Sequence, residues 1–151
     1  MSNATLVRAA RYLTLMILAL SVLGIMLNSI GMLDAGGAAW IRHLAAKLPM
    51  LFYVAAIWMI QRAHAAIARG DAVEAALAAL LERLGICLFL GGIARVFGQL
   101  WIIRLALGVP TSLAWFDAAA VTLGCVGLLL FVLARPLREA AKARTELAEI
   151  V

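Results

Sequence analysis

The stretch that decides the fold is CLFLGGIARVFGQLW, residues 87–101, in which an arginine interrupts an apolar run. Apart from Arg95 and Gln99, every residue in it is apolar or glycine. Extended in both directions, the stretch becomes a window at 84–107. This is long enough for a helix to cross the roughly 30 Å of bilayer hydrocarbon, which takes about 20 residues. The sequence therefore predicts a transmembrane helix with a charge inside it.

The composition of the whole chain is typical of a membrane protein. Of its 151 residues, 66% are hydrophobic and 14% are charged, and the mean hydropathy is +1.06. These values lie outside the range of soluble domains. Windows of spanning length occur at about 13–33, 48–68, 84–107 and 113–134. We therefore predict an all-α integral membrane protein, a single up-down bundle of four transmembrane helices with cytoplasmic helix extensions.

The second window is the least regular of the four. Its apolar run, 48–60, is about 13 residues long, too short to span unless it takes in residues 40–47 or residues 61–68. Proline is tolerated in the first turn of a helix and disrupts a helix interior. We therefore place Pro49 in the first turn and predict that the span continues downstream to residue 68.

Lysine and arginine are distributed unevenly between the two predicted sides. One side carries Arg42, Lys47 and Arg104, and the other carries Arg8, Arg11, Arg62, Arg69, Arg83, Arg135, Arg138, Lys142 and Arg144. The positive-inside rule then predicts both termini in the cytoplasm. Because these charges are spread over helix ends at headgroup level, we expect contact with membrane lipids and no direct contact with nucleic acid.

Two segments are predicted to extend into the cytoplasm. The third helix begins before the membrane, where Val73, Leu77 and Leu81 form an apolar stripe at helical spacing. The C-terminal segment, 137–151, is predicted as a second cytoplasmic helix with Leu147 on its apolar line. Two interpretations stay open: these stripes pack on each other, or they form a binding surface for a separate cytoplasmic protein.

The segment between the second and third windows resembles a known family. The resemblance is carried by the spacing of Gly70, Val73, Leu81, Leu84 and Gly85. This spacing is similar to that of the four-span bacterial membrane family catalogued as domain of unknown function 2975, which usually has Phe in place of Val73 and a polar residue in place of Leu77. The resemblance implies four spans in a bacterial inner membrane, with both termini inside and no established enzyme activity. It also implies a regulatory partner, since the family often accompanies small helix-turn-helix regulators.

Polar and small residues recur at intervals of seven inside two of the windows. The first window has Thr14, Ser21 and Asn28, and the third has Gly85, Gly92 and Gln99. Helices associate in lipid through close approach at small residues and through interhelical hydrogen bonds. We therefore predict that these two stripes pack against each other, with Arg95 pointing into the bundle beside them.

Arg95 needs acceptors, because exposure of an arginine to lipid at the bilayer centre costs about 2.5–3.5 kcal/mol. Counting inward from the helix ends places Asp117 at the outer interface, so we pair it with Arg104. The acceptors predicted for Arg95 are then neutral, in a cluster of Arg95, Gln99, Asn28, Ser21, Tyr53 and Thr122. Such a cluster is a structural clamp, a pocket for a small ligand, lipid or anion, or part of a transport route. A homo-oligomer with a ring of arginines is a further alternative.

Enzyme and cofactor sites are not indicated. His43 and His64 lie near opposite interfaces, too far apart to ligate one haem iron. Cys87 and Cys125 lack metal-site spacing, and no nucleotide-binding or hydrolase motif is present. We expect no cofactor, no metal and no enzyme activity, and we predict a regulatory or scaffolding partner of a cytoplasmic protein. The alternative is binding or transport of a small ligand, lipid or anion through the arginine-lined interior.

Overall fold

The computed structural model describes residues 3–30, 36–69, 73–110 and 116–150. Its elements are α1 (Asn3–Ile30), α2 (Gly37–Ala68), α3 (Val73–Ile93), a π-helical segment (Ala94–Gly98), α4 (Gln99–Leu107) and α5 (Ala118–Ile150). The π segment joins α3 to α4 without a break, so Val73–Leu107 is one continuous helix. The described residues are thus almost entirely helical, and the prediction of an all-α chain is confirmed.

Four of these helices are long and apolar enough to cross a membrane. The candidate spans are Arg8–Ile30, Gly37–Ala68, Val73–Leu107 and Ala118–Ala143. Each corresponds to one predicted window, although residues 31–33 and 113–115 of those windows lie outside the described residues, as does Gly70. The number of candidate spans therefore agrees with the prediction. The ends at Ala68 and Leu107 also agree, whereas the first three spans begin earlier, and the fourth ends later, than their windows.

The second and fourth helices are longer than expected. Because α2 begins at Gly37, Pro49 lies well inside the helix, and its placement in the first turn was wrong. A proline there removes one backbone hydrogen bond, but its ring is fully buried, so packing offsets the loss. The predicted helix at 137–151 is likewise not separate, since α5 runs through Pro136 to Ile150.

Side-chain contacts show that consecutive spans run antiparallel. Between α1 and α2 the pairs are Thr14 with Gln61 and Ser29 with His43. Between α2 and α3 they are Met59 with Cys87 and Tyr53 with Gly91, and between α3 and α5 they are Glu82 with Arg138 and Gly92 with Ala120. Among the described residues, α1 makes no close backbone approach to α3, α4 or α5, and α2 makes none to α5. The helices form an open row in which each one packs on its neighbours in sequence.

Glycines bring α3 and α5 into direct backbone contact. A Cβ atom on Gly85 would lie 2.5 Å from the Gly127 carbonyl oxygen, and one on Gly92 would lie 2.8 Å from the Ala120 carbonyl oxygen. Gly127 is equally tight, since its Cβ would meet the Phe89 nitrogen at 2.6 Å. Small residues permit such close packing, which replaces the hydrophobic force that is absent between helices in lipid.

The predicted partner of the α3 glycines was therefore wrong. They pack against α5 and not against the polar stripe of α1. Gly124 and Gly127 give α5 a matching small-residue face, whereas a Cβ on Gly24 of α1 would meet no atom within 4 Å. Within the α1 stripe, Thr14 contacts Gln61 of α2, and outside it Ser29 contacts His43 of α2 near the end of α1.

The variant Gly85→Ala tests this interface. The added methyl group overlaps backbone atoms of α5, and overpacking of this kind costs about 1–3 kcal/mol. This exceeds the gain of about 1 kcal/mol in helix propensity on replacing Gly by Ala. We expect a lower thermal unfolding midpoint in detergent. The matched control Gly24→Ala has open space around it, so its midpoint should stay level or rise. Equal effects of the two substitutions would contradict the backbone contact.

Candidate functional site

Arg95 lies on the π-helical segment of the third span. The Gln99 N–H donates to the Ala94 carbonyl five residues earlier, which closes the wider π turn. One extra residue rotates everything after it by about 100°, at 3.6 residues per α-helical turn. α3 presents Gly85 and Gly92 to α5, while α4 packs against α2. Because α5 begins level with Arg95, the described part of α5 does not reach α4.

The Arg95 guanidinium binds two side chains. Its Nε donates to Asp117 Oδ2 at 3.2 Å, and its Nη1 donates to Gln99 Oε1 at 3.1 Å. The side chains of Arg95 and Asp117 are both partly buried. The expectation that Arg95 has only neutral acceptors was wrong, because a carboxylate neutralises it.

Asp117 is also the N-cap of α5. Its Oδ1 accepts hydrogen bonds from the backbone N–H groups of Ala119 at 3.1 Å and Ala120 at 3.2 Å. These N–H groups have no partner within the helix, and an aspartate is among the residues that satisfy them best. One carboxylate thus starts α5 and fastens it to the π segment.

The predicted pairing of Asp117 with Arg104 does not occur. The contacts of Gly92 with Ala120 and Gly124 set the register, and they place Asp117 at the level of Arg95. Arg104 lies nine residues farther on, about 14 Å along the axis at 1.5 Å per residue. It is exposed near the end of α4, where the N–H of the left-handed Gly108 caps its carbonyl at 3.0 Å.

The structure gathers only part of the predicted polar cluster around Arg95. Gln99 binds it directly, and Tyr53 of α2 lies within electrostatic reach of both Arg95 and Asp117. Ser21 and Thr122 instead donate to carbonyls of their own helices, those of Ile17 and Ala118, each at 2.8 Å. Asn28 is exposed on α1.

Two residues of the predicted cluster that do not lie at Arg95, Ser21 and Asn28, line a groove between α1 and α2. It has a volume of about 350 Å³, and its polar lining comes from Ser21, Asn28, Lys47 and Tyr53, with apolar residues of both helices around them. Tyr53 connects the groove to Arg95, because its ring also packs on Gly91, where a Cβ would lie 2.7 Å from Tyr53 Cε1. The groove is amphipathic and open along the helices.

Two polar contacts that hold α1 to α2 were not predicted from the sequence. With its amide nitrogen toward α1, buried Gln61 donates to Thr14 Oγ1 at 2.9 Å and to the Arg11 carbonyl at 3.2 Å, and its oxygen accepts from Arg11 Nε at 3.2 Å. Near the other end, Ser29 Oγ lies 3.2 Å from Nε2 of buried His43. A glutamine that interrupts an apolar run was the signal available for the first of these contacts.

The predicted partner surface is partly exposed. Val73 and Leu77 are 47% and 41% exposed, whereas Leu81 is half-buried. The side chain of Leu147 lies outside the part of the chain whose surroundings are described. Close by, Arg138 of α5 forms an ion pair with Glu82 of α3. Among the described residues, no group of three His, Cys, Asp or Glu side chains is placed to hold a metal ion.

The variant Asp117→Asn tests the ion pair, because asparagine keeps the cap and removes the charge. We expect a lower unfolding midpoint near neutral pH. Protonation of the Asp117 carboxylate removes the same charge that the variant lacks, so the gap between wild type and variant should close in strong acid.

The control for this measurement is Arg104→Gln, which removes a charge from the residue predicted to pair with Asp117. It should leave the midpoint unchanged at every pH. A drop as large as that of Asp117→Asn would contradict the assignment of Asp117 to Arg95.

Comparison with known proteins does not place the chain in a family. Neither a protein-family model, nor a curated protein, nor a solved structure matches it. The resemblance to the four-span family of unknown function therefore stays a prediction.

Proposed function

We propose that the chain is a non-enzymatic four-span protein of a bacterial inner membrane with both termini in the cytoplasm. The excess of lysine and arginine at the end of the row where α1 begins and α5 ends supports this orientation. We call this end the basic end. Trp58 and Arg62 lie there together, with Arg62 Cζ 5.0 Å from the centre of the Trp58 ring. Tryptophan and arginine are typical of membrane interfaces.

Helix length supports a cytoplasmic projection at the basic end. The helix Val73–Leu107 has 35 residues, about 52 Å at 1.5 Å per residue, against a hydrocarbon core of roughly 30 Å. α5 also extends beyond its candidate span, since it continues from Ala143 to Ile150. We call residues 73–83 and 136–150 the stalk; the ion pair of Glu82 with Arg138 ties its two helices together.

The observation that carries the proposed function is apolar exposure on the stalk. Val73 and Leu77 are both exposed. They precede the apolar window 84–107, so in the proposed orientation they project into the cytoplasm, beyond the lipid. Leu81 is half-buried, so the two stalk helices pack on each other only in part. We propose that Val73, Leu77 and Leu81, together with Leu147, dock a cytoplasmic regulatory protein. The family resemblance implies a partner of the same kind.

A second candidate function is binding of a small amphipathic ligand or lipid in the groove between α1 and α2. The observation in its favour is the convergence of Ser21, Asn28, Lys47 and Tyr53 in one cavity. Arg95 supports this function less well than the sequence suggested, because Asp117 occupies it. The same pairing disfavours an anion-selective ring of arginines in a homo-oligomer.

Topology reporters test the orientation. A fluorescent protein fused after residue 151 should be fluorescent, and alkaline phosphatase fused at the same point should be inactive, because both termini are assigned to the cytoplasm. The control fusions follow residue 110, on the opposite side, where phosphatase should be active. The reverse pattern at both sites would overturn the orientation while leaving the four spans intact.

Crosslinking pull-down from native membranes tests the docking surface. The double variant Leu77→Ser with Leu81→Ser should lose a cytoplasmic protein that wild type captures, because it removes the apolar contact. Arg95→Leu should retain that protein, since Arg95 lies far from the stalk. The proposal fails if the same partner co-purifies with the double variant at wild-type yield, or if Arg95→Leu abolishes its capture.

A further inference from the structure

A basic cleft lies between the end of α2 and the beginning of α3. Its volume is about 210 Å³, and its charged and aromatic lining is Trp58, Arg62, Arg69 and Arg83. Alanines form its floor, among them Ala63 of α2 and Ala76 of α3. Because these side chains are small, the two helices leave a recess with three guanidinium groups around it.

The described residues that line the basic cleft include no carboxylate. Glu82, the acidic residue next to Arg83 in sequence, forms its ion pair with Arg138 of α5 and does not line the cleft. Arg62 and Arg83 are like charges on two helices around one recess, and an anion between them removes their repulsion.

The geometry of Arg62 suits a phosphate group. Its guanidinium lies over the face of the Trp58 ring, with Cζ 5.0 Å from the ring centre. This cation–π contact does not use the hydrogen-bond donors of the guanidinium, which are left for an anion. Arginine binds phosphate through these donors, often with two parallel hydrogen bonds. Arg83 faces the same recess from α3.

Apolar residues continue from the cleft toward the centre of the membrane. Ile86 and Leu90 follow Arg83 by three and seven residues, which places them on the same face of α3, and both are exposed. On α2, exposed Leu51 precedes Trp58 by seven residues. A phosphate held between Arg62 and Arg83 would have its attached acyl chains beside these residues. This arrangement favours a lipid over a soluble anion.

We propose that the basic cleft is a binding site for the phosphate group of an anionic phospholipid of the cytoplasmic leaflet. Basic recesses between transmembrane helices on the cytoplasmic side hold such headgroups. The site is separate from the Arg95 ion pair and from the groove between α1 and α2. It depends on the membrane placement proposed above but not on the docking of a protein to the stalk.

Lipid titration of the delipidated protein in neutral detergent, followed by native mass spectrometry, tests the site. The probes are phosphatidylglycerol, phosphatidylcholine and inorganic phosphate. Wild type should bind one phosphatidylglycerol more tightly than phosphatidylcholine, whose own choline offsets the phosphate charge. The variant Arg62→Gln with Arg83→Gln should bind phosphatidylglycerol about 30-fold more weakly, since each basic side chain at headgroup level contributes about five-fold.

The matched control is Arg42→Gln with Arg104→Gln, which removes two exposed arginines from the opposite end. It should bind phosphatidylglycerol as wild type does. Equal affinity of the cleft variant and wild type, or an equal loss in the control, would overturn the site. Inorganic phosphate that displaces the lipid and requires the same two arginines would overturn lipid as the occupant. Because the measurement uses isolated protein, its result does not depend on the outcome of the topology-reporter or pull-down experiments.

Discussion

The rest of the structure depends on the direct contact between the backbones of α3 and α5. At Gly85 and Gly127 the two helices approach so closely that neither position has room for a Cβ atom. Contact of this kind fixes the register of one helix on the other, because a shift by one residue would bring a side chain into backbone. Both interhelical ion pairs, Arg95 with Asp117 and Glu82 with Arg138, follow from that register.

The register also explains how an arginine is tolerated within an apolar span. The contacts of Gly92 with Ala120 and Gly124 place the beginning of α5 level with Arg95, and Asp117, which caps α5, therefore lies beside the guanidinium. Arg95 is thus bound by one carboxylate and one amide, an arrangement that suits a structural clamp.

The sequence predicted the number and approximate place of the helices, because spanning length and apolar composition are local properties. It did not predict which helices pack together. Gly24, Gly85 and Gly124 all lie in small-residue stripes, and nothing within one helix says which stripe meets which. The π segment adds a residue to one turn, so the seven-residue spacing of Gly92 and Gln99 did not keep them on one face.

The ion pair was mispredicted for a similar reason. Depth was counted from a fourth window at 113–134, whereas α5 begins at Ala118 and Asp117 precedes it. The count assumed that the fourth helix begins level with the end of the third span, whereas α5 begins level with Arg95, about 14 Å from Arg104 along the axis. The positions of Val73 and Leu77 on one face were predicted from helical periodicity alone, because α3 is a regular α-helix there.

The open row of helices has a consequence for biosynthesis. Each helix packs against the one made before it, and among the described residues no contact requires α1 to wait for α5. Helices released one after another into a bilayer would therefore meet their partner on arrival, and the chain closes only short loops in sequence. Assembly can follow the order of synthesis from the N-terminus, with the α3 and α5 glycines joining last.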